Sequence, residues 1–458
     1  MPGDFKPFQE RMRAENLPQL AIETFRHYYE QLVKGETGLV PENSIAPVDA
    51  LPDTETFGAE YAEAGKTVLP KAVLVKLNGG LGTGMGLDKA KSLLPVKEGL
   101  TFLDIIAKQA LRAGVPFILM NSFSTRDDSL AALNQYPELS KGQLPLDFLQ
   151  HKAPKIRASD FLPALFPADP ELEWYPPGHG DLYTALVTSD MLAQLLSAGC
   201  EYAFISNADN LGASLDPAIL GYFAKTALPF IMECADRTEA DKKGGHLARN
   251  RADGQLLLRE SAQCPDADAA TFQDITRHKF FNTNNLWVNL PALKKLLDER
   301  NGVLGLPLIR NTKTVDPRDS KSTAVYQLET AMGSAIAVFK GAGAVRVPRS
   351  RFAPVKANSD LLAVRSDAYL LTKDFQVVAN PERKLGAVVV NLDNKFYKLI
   401  DQFEARFPKG APSLLECARL DIKGDVRFGA NVTVKGNVTV ENREMAQKVI
   451  QDGSVLEG

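Results

Sequence analysis

The densest group of residues able to do chemistry is a glycine-rich stretch that runs from Lys76 to Gly86 and holds five glycines within eight residues. Because glycine lacks a Cβ, such a loop can adopt positive φ and bring backbone N–H groups close to an anion. It directly follows the apolar run 72–75, which predicts a buried strand ending in the loop. The pattern predicts a phosphate cradle, and the structural alternative is a tight turn between strand and helix.

Two common phosphate-binding motifs do not fit this stretch. The dinucleotide pattern G-x-G-x-x-G would need a glycine where Met85 stands. The P-loop pattern G-x-x-x-x-G-K-[ST] fails at Gly65-Lys66-Thr67, because its first position is Glu60 and no apolar strand precedes it. Lys91 and Ser92 follow the loop instead, so the sequence favours a nucleotide-phosphate loop of another kind.

A second candidate group is the segment 174–181, in which His179 stands between two glycines after two prolines. A core histidine usually has apolar neighbours, whereas glycines leave space beside the ring. We therefore expect His179 to be held against a ligand, with packing in the core as the alternative.

A third candidate is the run Asn207-Ala208-Asp209-Asn210, which follows the apolar strand 202–206. A carboxylate at the C-terminal end of a strand is well placed for Mg²⁺, which prefers oxygen ligands and commonly uses one or two carboxylates together with substrate phosphates. The alternative is a cluster of turn-forming Asx residues.

The elements that would position these groups alternate between strands and helices. Strand 72–77 is followed by a helix from a Thr101 cap to Ala113, by strand 115–120 and by a helix capped by Ser124 or Thr125. This order predicts an α/β fold with a doubly wound, mixed but mostly parallel sheet. Ligands of such sheets bind beyond the C-terminal strand ends, where the glycine loop lies.

The flanking segments complete the predicted organisation. An amphipathic helix is expected over 18–34, irregular wrapping over 39–70, strands and turns that cover the site over 230–300, a linker over 366–385 and a helix over 395–407. The run 327–331 is expected to open a helix. Near the end, Leu420, Val426, Val432 and Val438 recur six residues apart, and a parallel series starts at Ile422.

The six-residue period predicts a small C-terminal β-helix of the hexapeptide, left-handed type, with an ordinary β-meander as the alternative. The exposed edge of such a stack favours packing on the main domain or homo-oligomer formation. The predicted domains are therefore a helical and wrapping segment over 1–70, a catalytic nucleotide-binding α/β domain over 71–370 and a C-terminal domain over 371–458.

Composition narrows the class of protein. The chain is 45% apolar and 24% charged with a net charge of −3, which argues against nucleic acid or an acidic membrane as its main partner. No apolar run approaches the roughly 20 residues of a membrane span, and the first residues hold no signal-type apolar region. The four cysteines lie far apart, which predicts free thiols and a cytoplasmic protein.

The run Leu77-Asn78-Gly79-Gly80-Leu81-Gly82-Thr83 with Lys91-Ser92 resembles the sugar-nucleotide pyrophosphorylases. It is most similar to the eukaryotic-type UTP–glucose-1-phosphate uridylyltransferases, also called UDP-glucose pyrophosphorylases. Where the wider superfamily has arginine after the Gly-Thr pair, this chain has Gly84, as the glucose-1-phosphate branch does. The segments Pro176–Gly180, Asn207–Asn210 and 347–362 are also similar, and the resemblance runs from about residue 20 to the C-terminus.

The resemblance implies a nucleotidyltransferase that moves uridylyl from UTP to glucose 1-phosphate and releases UDP-glucose and pyrophosphate, reversibly. It implies Mg²⁺ as the cofactor, held by Asp209, and catalytic lysines at Lys91 and Lys356. The implied nucleotide contacts are Leu77, Asn78, Gly79, Gly80, Lys91, Gln150, Pro177, Gly178, Asn207, Asp209 and Lys356. The implied contacts to the sugar phosphate are Gly80, His179, Asn207, Asp209, Asn284 and Asn285.

The absence of a His-Pro-His run argues against a covalent uridylyl-histidine, so we expect direct in-line displacement in a ternary complex. Two rival functions stay open from the sequence. One is transfer to N-acetylglucosamine 1-phosphate or to several sugar phosphates, although those relatives usually keep arginine at the position of Gly84. The other is an inactive sugar-nucleotide-binding protein, which predicts loss of Lys91, Asp209 or Lys356, yet all three are present.

Overall fold

The computed structural model describes residues 3–141 and 144–458. Residues 1 and 2 of the predicted N-terminal segment and residues 142 and 143 of the predicted catalytic domain lie outside the described residues. The α-helices are α1 Lys6–Ala14, α2 Gln19–Val33, α3 Ala59–Val68, α4 Phe102–Ala113, α5 Arg126–Leu133, α6 Leu182–Thr188, α7 Met191–Ser197, α8 Pro217–Thr226, α9 Ala269–Phe272, α10 Leu290–Glu299, α11 Asn358–Arg365, α12 Asn394–Tyr397 and α13 Ile400–Arg406.

The strands range in length from two to ten residues. They are β1 Ile45–Pro47, β2 Ala72–Asn78, β3 Pro95–Lys97, β4 Leu100–Thr101, β5 Phe117–Asn121, β6 Asp147–Leu149, β7 Ala153–Pro154, β8 Ile156–Arg157, β9 Trp174–Tyr175, β10 Tyr202–Asn207, β11 Phe230–Asp236, β12 His246–Asn250, β13 Leu256–Arg259, β14 Phe280–Asn289, β15 Ile309–Thr314, β16 Ala324–Glu329, β17 Gly343–Arg346, β18 Tyr369–Leu371, β19 Val377–Ala379, β20 Val389–Leu392, β21 Cys417–Lys423, β22 Val426–Phe428, β23 Thr433–Glu441, β24 Lys448–Ile450 and β25 Val455–Glu457.

The central sheet is mixed and mostly parallel, as predicted. Its strand order is β1-β12-β14-β10-β2-β5-β6, and β11 joins β14 to β17. Strands β10, β2, β5 and β6 are parallel neighbours, whereas β14 runs antiparallel to β10 and β11. Apolar side chains of α4 and α8 cover one face of this sheet, and those of α6, α7 and α10 cover the other. The C-terminal ends of β2, β5, β6 and β10 therefore meet at one edge.

Several local predictions are confirmed. Helix α2 buries its aromatic stripe, and strand β2 is buried along its whole length. Helix α4 begins with a capping box in which the Thr101 side chain accepts from the Asp104 N–H, and it ends at Gly114 with φ of 66°. Thr125 precedes α5 as predicted, but its side chain makes no capping hydrogen bond.

Other local predictions are wrong. The segment 230–300 does not cover the site, because β11 and β14 lie inside the central sheet. The run 327–331 ends strand β16 instead of opening a helix. The predicted linker 366–385 contains the paired strands β18 and β19, and the predicted helix 395–407 is divided into α12 and α13. The segment 39–70 includes the regular helix α3.

The C-terminal region is built from parallel strand pairs. Strand β21 pairs with β23 so that Leu420 lies beside Val438 and Ile422 beside Val440, an offset of 18 residues, which is three six-residue periods. The members of both apolar series are buried. The periodic positions therefore form the interior of this region, as the repeat predicts. Within the described ranges, no helix is long and apolar enough to cross a membrane.

Helices α3 and α8 cross at a contact between their backbones. A Cβ on Gly65 would collide with the Pro217 carbonyl, and a Cβ on Gly221 would collide with the Tyr61 carbonyl. Side chains at these two positions would hold the helices apart. The glycines therefore allow a close approach that dense packing against the sheet requires.

We expect Gly65→Ala to lower the free energy of unfolding by about 3 kcal/mol, because the added methyl group meets backbone that cannot move aside. Alanine is the better helix former, so propensity alone predicts the opposite sign. Denaturant unfolding measures the change, with Gly386→Ala as the control, since a Cβ there meets open space. Equal stability of the two variants would contradict the tight crossing.

Candidate active site

A pocket of about 330 Å³ opens at the edge where β2, β5, β6 and β10 end. Most residues that the sequence singled out line it. The lining residues are Leu77, Asn78, Gly79, Gly80, Lys91, Ser92, Met120, Gln150, Pro176, Gly178, His179, Asn207, Ala208, Asp209 and Lys356. The volume is that of a small-molecule site, and the polar groups converge from six separate stretches of chain.

The first half of the glycine stretch forms one wall of the pocket. A Cβ on Gly79 would lie 2.5 Å from Oε1 of Gln150, so only glycine lets that amide rest against the loop. The backbone N–H of Gln150 donates to the Asn121 carbonyl at 2.9 Å, which holds the residue at the end of β6. Its amide therefore faces the pocket from a defined position.

Asn78 lines the pocket, but its amide nitrogen makes hydrogen bonds to residues beneath the pocket. This buried Nδ2 donates to Asn121 Oδ1 and to Ser129 Oγ, both at 2.8 Å. These bonds tie the end of β2 to β5 and α5. The side-chain nitrogen of Asn78 thus supports the loop, and a nucleotide contact from this residue must use other atoms.

The second half of the glycine stretch packs on the C-terminal region. Met85 is buried in the apolar cluster that also contains Tyr397 and Phe403. A Cβ on Gly86, whose φ is 74°, would lie 3.0 Å from Cδ2 of Leu399. The glycine density therefore has two physical causes: Gly79 leaves room for the pocket-facing amide of Gln150, and Gly86 leaves room for the Leu399 side chain of the C-terminal region.

Two lysines meet at one carboxylate on the floor of the pocket. Nζ of Lys91 lies 2.8 Å from Oδ2 of Asp209, and Nζ of Lys356 lies 3.1 Å from the same oxygen. Burial by itself would raise the pKa of Asp209, but the two ammonium groups hold it below its ordinary value. Asp209 is therefore ionised at neutral pH, and the group carries a net charge of +1.

His179 is held as a neutral ring. The backbone N–H of Met332 donates to its Nδ1 at 2.9 Å, so Nδ1 carries no proton and Nε2 is the donor. Burial, together with the positive charge of Lys356, lowers the pKa of His179 to about 4. The flanking glycines serve a purpose other than the expected one: a Cβ on Gly178 or Gly180 would collide with Thr330.

The two predicted sugar-reading amides are in different situations. Asn284 is half-buried at a bulge of β14, with φ of 58°. Asn285 is fully buried: Nδ2 donates to Glu233 Oε2 at 3.0 Å, and Oδ1 accepts from Asn210 Nδ2 at 3.2 Å. Neither residue lines the pocket. The arrangement leaves Asn285 no free group for a sugar hydroxyl, because buried strand amides must be satisfied within the protein.

Four lining residues were not among the predicted site residues: Ser92, which appeared only as part of the Lys91-Ser92 motif, and Met120, Pro176 and Ala208. Met120 pairs with Leu77 at the parallel ends of β5 and β2, so the strand-end rule applied to both strands would have identified it. Pro176 and Ala208 stand beside selected residues, and their types carry no chemical signal of their own.

The oxygen donors that face the pocket suit Mg²⁺ only when a ligand adds more. Among the described residues, no three His, Cys, Asp or Glu side chains are grouped as a metal site. Asp209 offers one carboxylate, and Mg²⁺ sites commonly combine one or two carboxylates with substrate phosphates. The residues present therefore fit Mg²⁺ when a substrate phosphate supplies the further oxygen ligands.

We expect His179 to stay uncharged down to about pH 5, because its pKa of about 4 lies below the ordinary value of 6.5. The unfolded chain binds this proton more readily, so the stabilisation is complete above about pH 6.5 and is lost as the pH falls toward 4. NMR titration of the ring, assigned with His179→Gln, measures the midpoint. A midpoint near 6.5 would contradict the assigned tautomer and environment.

Comparisons with known proteins identify the family to which the chain belongs. The family model described as UTP–glucose-1-phosphate uridylyltransferase matches residues 22–435. The protein of that name from Hordeum vulgare is 42% identical over 428 residues, which cover 92% of this chain and 85% of that protein. A protein from Schizosaccharomyces pombe, named a probable member, is 42% identical over 86% of this chain and 78% of its own length.

Solved structures show the same likeness. A mutant UDP-glucose pyrophosphorylase from Leishmania major matches with a TM-score of 0.93 and 45% identity, covering 99% of this chain and 97% of that one. Another mutant of the same protein, in complex with UDP-glucose, matches with a TM-score of 0.91 and 46% identity over 99% and 98% of the two chains. With the family model matching most of its length, this chain belongs to the UTP–glucose-1-phosphate uridylyltransferase family.

Proposed function

We propose that this chain transfers uridylyl from UTP to glucose 1-phosphate, giving UDP-glucose and pyrophosphate, in a reversible reaction. The family and the relatives that bear this activity in their names support the substrates. The observation that carries the chemistry is the pairing of Lys91 and Lys356 with Asp209 beside the glycine wall. Both substrates are anions, and this group presents a net positive charge to them.

The proposed chemistry is in-line displacement. An oxygen of glucose 1-phosphate attacks the α-phosphorus of UTP, the bond to the pyrophosphate oxygen breaks, and pyrophosphate leaves with that electron pair. Such a reaction needs positioning and charge stabilisation and no protein nucleophile. In our proposal Lys91 and Lys356 turn from Asp209 toward the phosphates. The backbone N–H groups of Gly79 and Gly80 hold the nucleotide.

Asp209 would hold the Mg²⁺ ion together with substrate phosphate oxygens. When bound, the ion supplies charge neutralisation and orientation of the phosphates. Two ammonium groups keep Asp209 ionised, so its carboxylate is ready for a cation at neutral pH. The same two lysines are freed for the phosphates when the carboxylate takes another partner.

The remaining pocket residues would recognise the base and the sugar phosphate. Gln150 offers an amide donor and acceptor that suit a uracil edge, with Pro177 and Gly178 against the base. The Nε2–H of neutral His179 donates to the sugar phosphate. Asn207 contributes to both substrates, and Asn284 is the better placed of the two β14 amides for a sugar hydroxyl, since it is half-buried.

The remaining features of the proposal concern organisation. We propose domains over 1–70, 71–370 and 371–458, although Met85 of the second packs with Tyr397 and Phe403 of the third in a common apolar cluster. The parallel pairing of β21 with β23 at an offset of 18 residues supports a left-handed β-helix of hexapeptide type. Self-association through its edge and a cytoplasmic location stay predictions.

We expect pyrophosphate release from UTP, Mg²⁺ and glucose 1-phosphate, and at least about tenfold slower release with N-acetylglucosamine 1-phosphate, since an added acetamido group must fit a site shaped for a hydroxyl. Initial-rate lines for the two substrates should intersect, as direct displacement in a ternary complex requires. Inactivity with glucose 1-phosphate would overturn the proposed function. Parallel lines would overturn only the direct mechanism.

We expect Lys91→Ala to reduce kcat by about 10²–10³-fold with the fold preserved, because one pre-positioned charge at the transferring group is lost. Lys89→Ala is the matched control, since Lys89 is an exposed lysine two residues away that does not line the pocket. Steady-state kinetics and circular dichroism separate the two effects. Near-normal turnover of Lys91→Ala would show that this lysine only packs against Asp209.

A further inference from the structure

A fully buried carboxylate, Glu233, lies in β11 beneath the pocket. Oε1 and Oε2 accept from Nη2 and Nε of Arg351, both at 2.7 Å, so the pair is bidentate. Oε1 also accepts from Trp287 Nε1 at 2.9 Å, and Oε2 accepts from Asn285 Nδ2 at 3.0 Å. A buried charge is retained only with such complete pairing, since its desolvation is otherwise very costly.

Arg351 connects this carboxylate to the loop after β10, which carries Asp209. Its Nη2 donates to the Ser214 carbonyl at 2.9 Å. Its own carbonyl accepts from Asn210 Nδ2 at 3.1 Å, and from Asn285 Nδ2 at 3.2 Å. The loop after β10 is thus attached to Arg351 at two points, on both sides of the bend 211–213.

The same loop is attached to the segment that carries Lys356. Oδ1 of Asn210 accepts from the Ala353 N–H at 2.9 Å, and Asn210 forms an isolated bridge with Pro354. The N–H of Val355 donates to the Asp209 carbonyl at 3.1 Å. These bonds hold the backbones of Asp209 and Lys356 side by side, and the Arg351 carbonyl holds the Asn210 side chain that takes part in them.

A buried lysine supports the loop from β2. Nζ of Lys76, which is fully buried, donates to Ser206 Oγ at 2.7 Å and to the Ala213 carbonyl at 2.6 Å. Arg351 and Lys76 thus hold consecutive carbonyls, those of Ser214 and Ala213. The loop cannot shift relative to the sheet without breaking the hydrogen bonds that these two buried side chains donate.

We propose that Glu233 is a positioning residue for uridylyl transfer, which holds Arg351 so that Asp209 and Lys356 keep their mutual distance at the phosphates. It touches no substrate, because its side chain is fully buried. The inference rests on the proposed function, which places Asp209 and Lys356 at the reacting phosphates. The charge of Glu233 is needed because Arg351 would otherwise move toward water or toward Asp216, 3.8 Å away.

The test is a double-mutant cycle between Glu233→Gln and Lys356→Ala, with kcat and KM measured for both substrates. We expect Glu233→Gln to reduce kcat about 10²-fold with KM changed less than about threefold, because small displacements of reacting groups cost that much. In the Lys356→Ala background, Glu233→Gln should alter kcat by less than about threefold, because both substitutions remove the same contribution to catalysis. A purely structural role would multiply the two losses.

Glu42→Gln is the matched stability control. Glu42 pairs at 2.7 Å with Arg259, which is also fully buried, and neither residue lines the pocket. It should destabilise the protein to a similar degree in thermal unfolding and leave kcat within about threefold of wild type. Arg351→Lys is the second variant if Glu233→Gln does not fold, since lysine keeps the charge and loses the bidentate contact, so kcat should still fall about tenfold.

The outcomes separate the two proposals. Wild-type kcat in folded Glu233→Gln, or in Arg351→Lys where Glu233→Gln does not fold, would overturn this inference. Multiplicative losses in the cycle would do the same, because Glu233 would then act elsewhere. A wild-type kcat in Lys356→Ala would show that Lys356 has no role at the phosphates, and this inference would then fail. The proposed formation of UDP-glucose would not be affected by that result.

Discussion

The structure depends on one carboxylate that satisfies two ammonium groups. Lys91 follows the glycine loop, Lys356 precedes α11 and Asp209 follows β10, yet all three meet on Oδ2 of Asp209. Burial alone would raise the pKa of the Asp209 carboxyl, and the two ammonium groups hold it below its ordinary value. The pairing therefore keeps the carboxylate ionised and places both ammonium groups close to where anionic substrates would bind. A cation and a polyphosphate can then exchange partners with groups that are already in place.

Holding these charges side by side requires close backbone contacts and buried polar bonds. Glycines at 79, 178 and 180 admit a neighbouring amide, carbonyl or hydroxyl where any Cβ would collide. Below them, Glu233, Arg351 and Asn210 replace the apolar packing that a strand interior usually has. Such a network is costly unless every member is bonded, and here its members bond to the loop that carries Asp209. The pocket therefore rests on polar positioning more than on apolar packing.

The same physics explains which expectations were wrong. The segment 230–300 was expected to cover the site, and its strand β14 carries three asparagines in a row of four residues, although amides are unfavourable in strand interiors. The strand is nonetheless central, since Asn282 bonds to Asn284 across a bulge and Asn285 bonds to Glu233. The run 327–331 was expected to open a helix, but it pairs with β15 along its first residues. A hydrogen-bond partner more than 40 residues away in the chain, such as Glu233 for Asn285, leaves no signal in the local sequence.

The sequence by itself determined the α/β alternation, the glycine loop at a strand end, the six-residue repeat and the carboxylate at the end of β10, whereas the two lysines were expected from the family resemblance. These are local properties, because glycine spacing, hydrophobic periodicity and strand-end polarity act within a few residues. Only the tertiary structure decided that Gly86 serves the C-terminal region, that Asn285 is buried and that His179 is neutral. Each of these features depends on a group that is distant in the chain: Leu399 for Gly86, Glu233 for Asn285 and the Met332 N–H for His179. Burial and charge at a site are set by neighbours that only folding brings together.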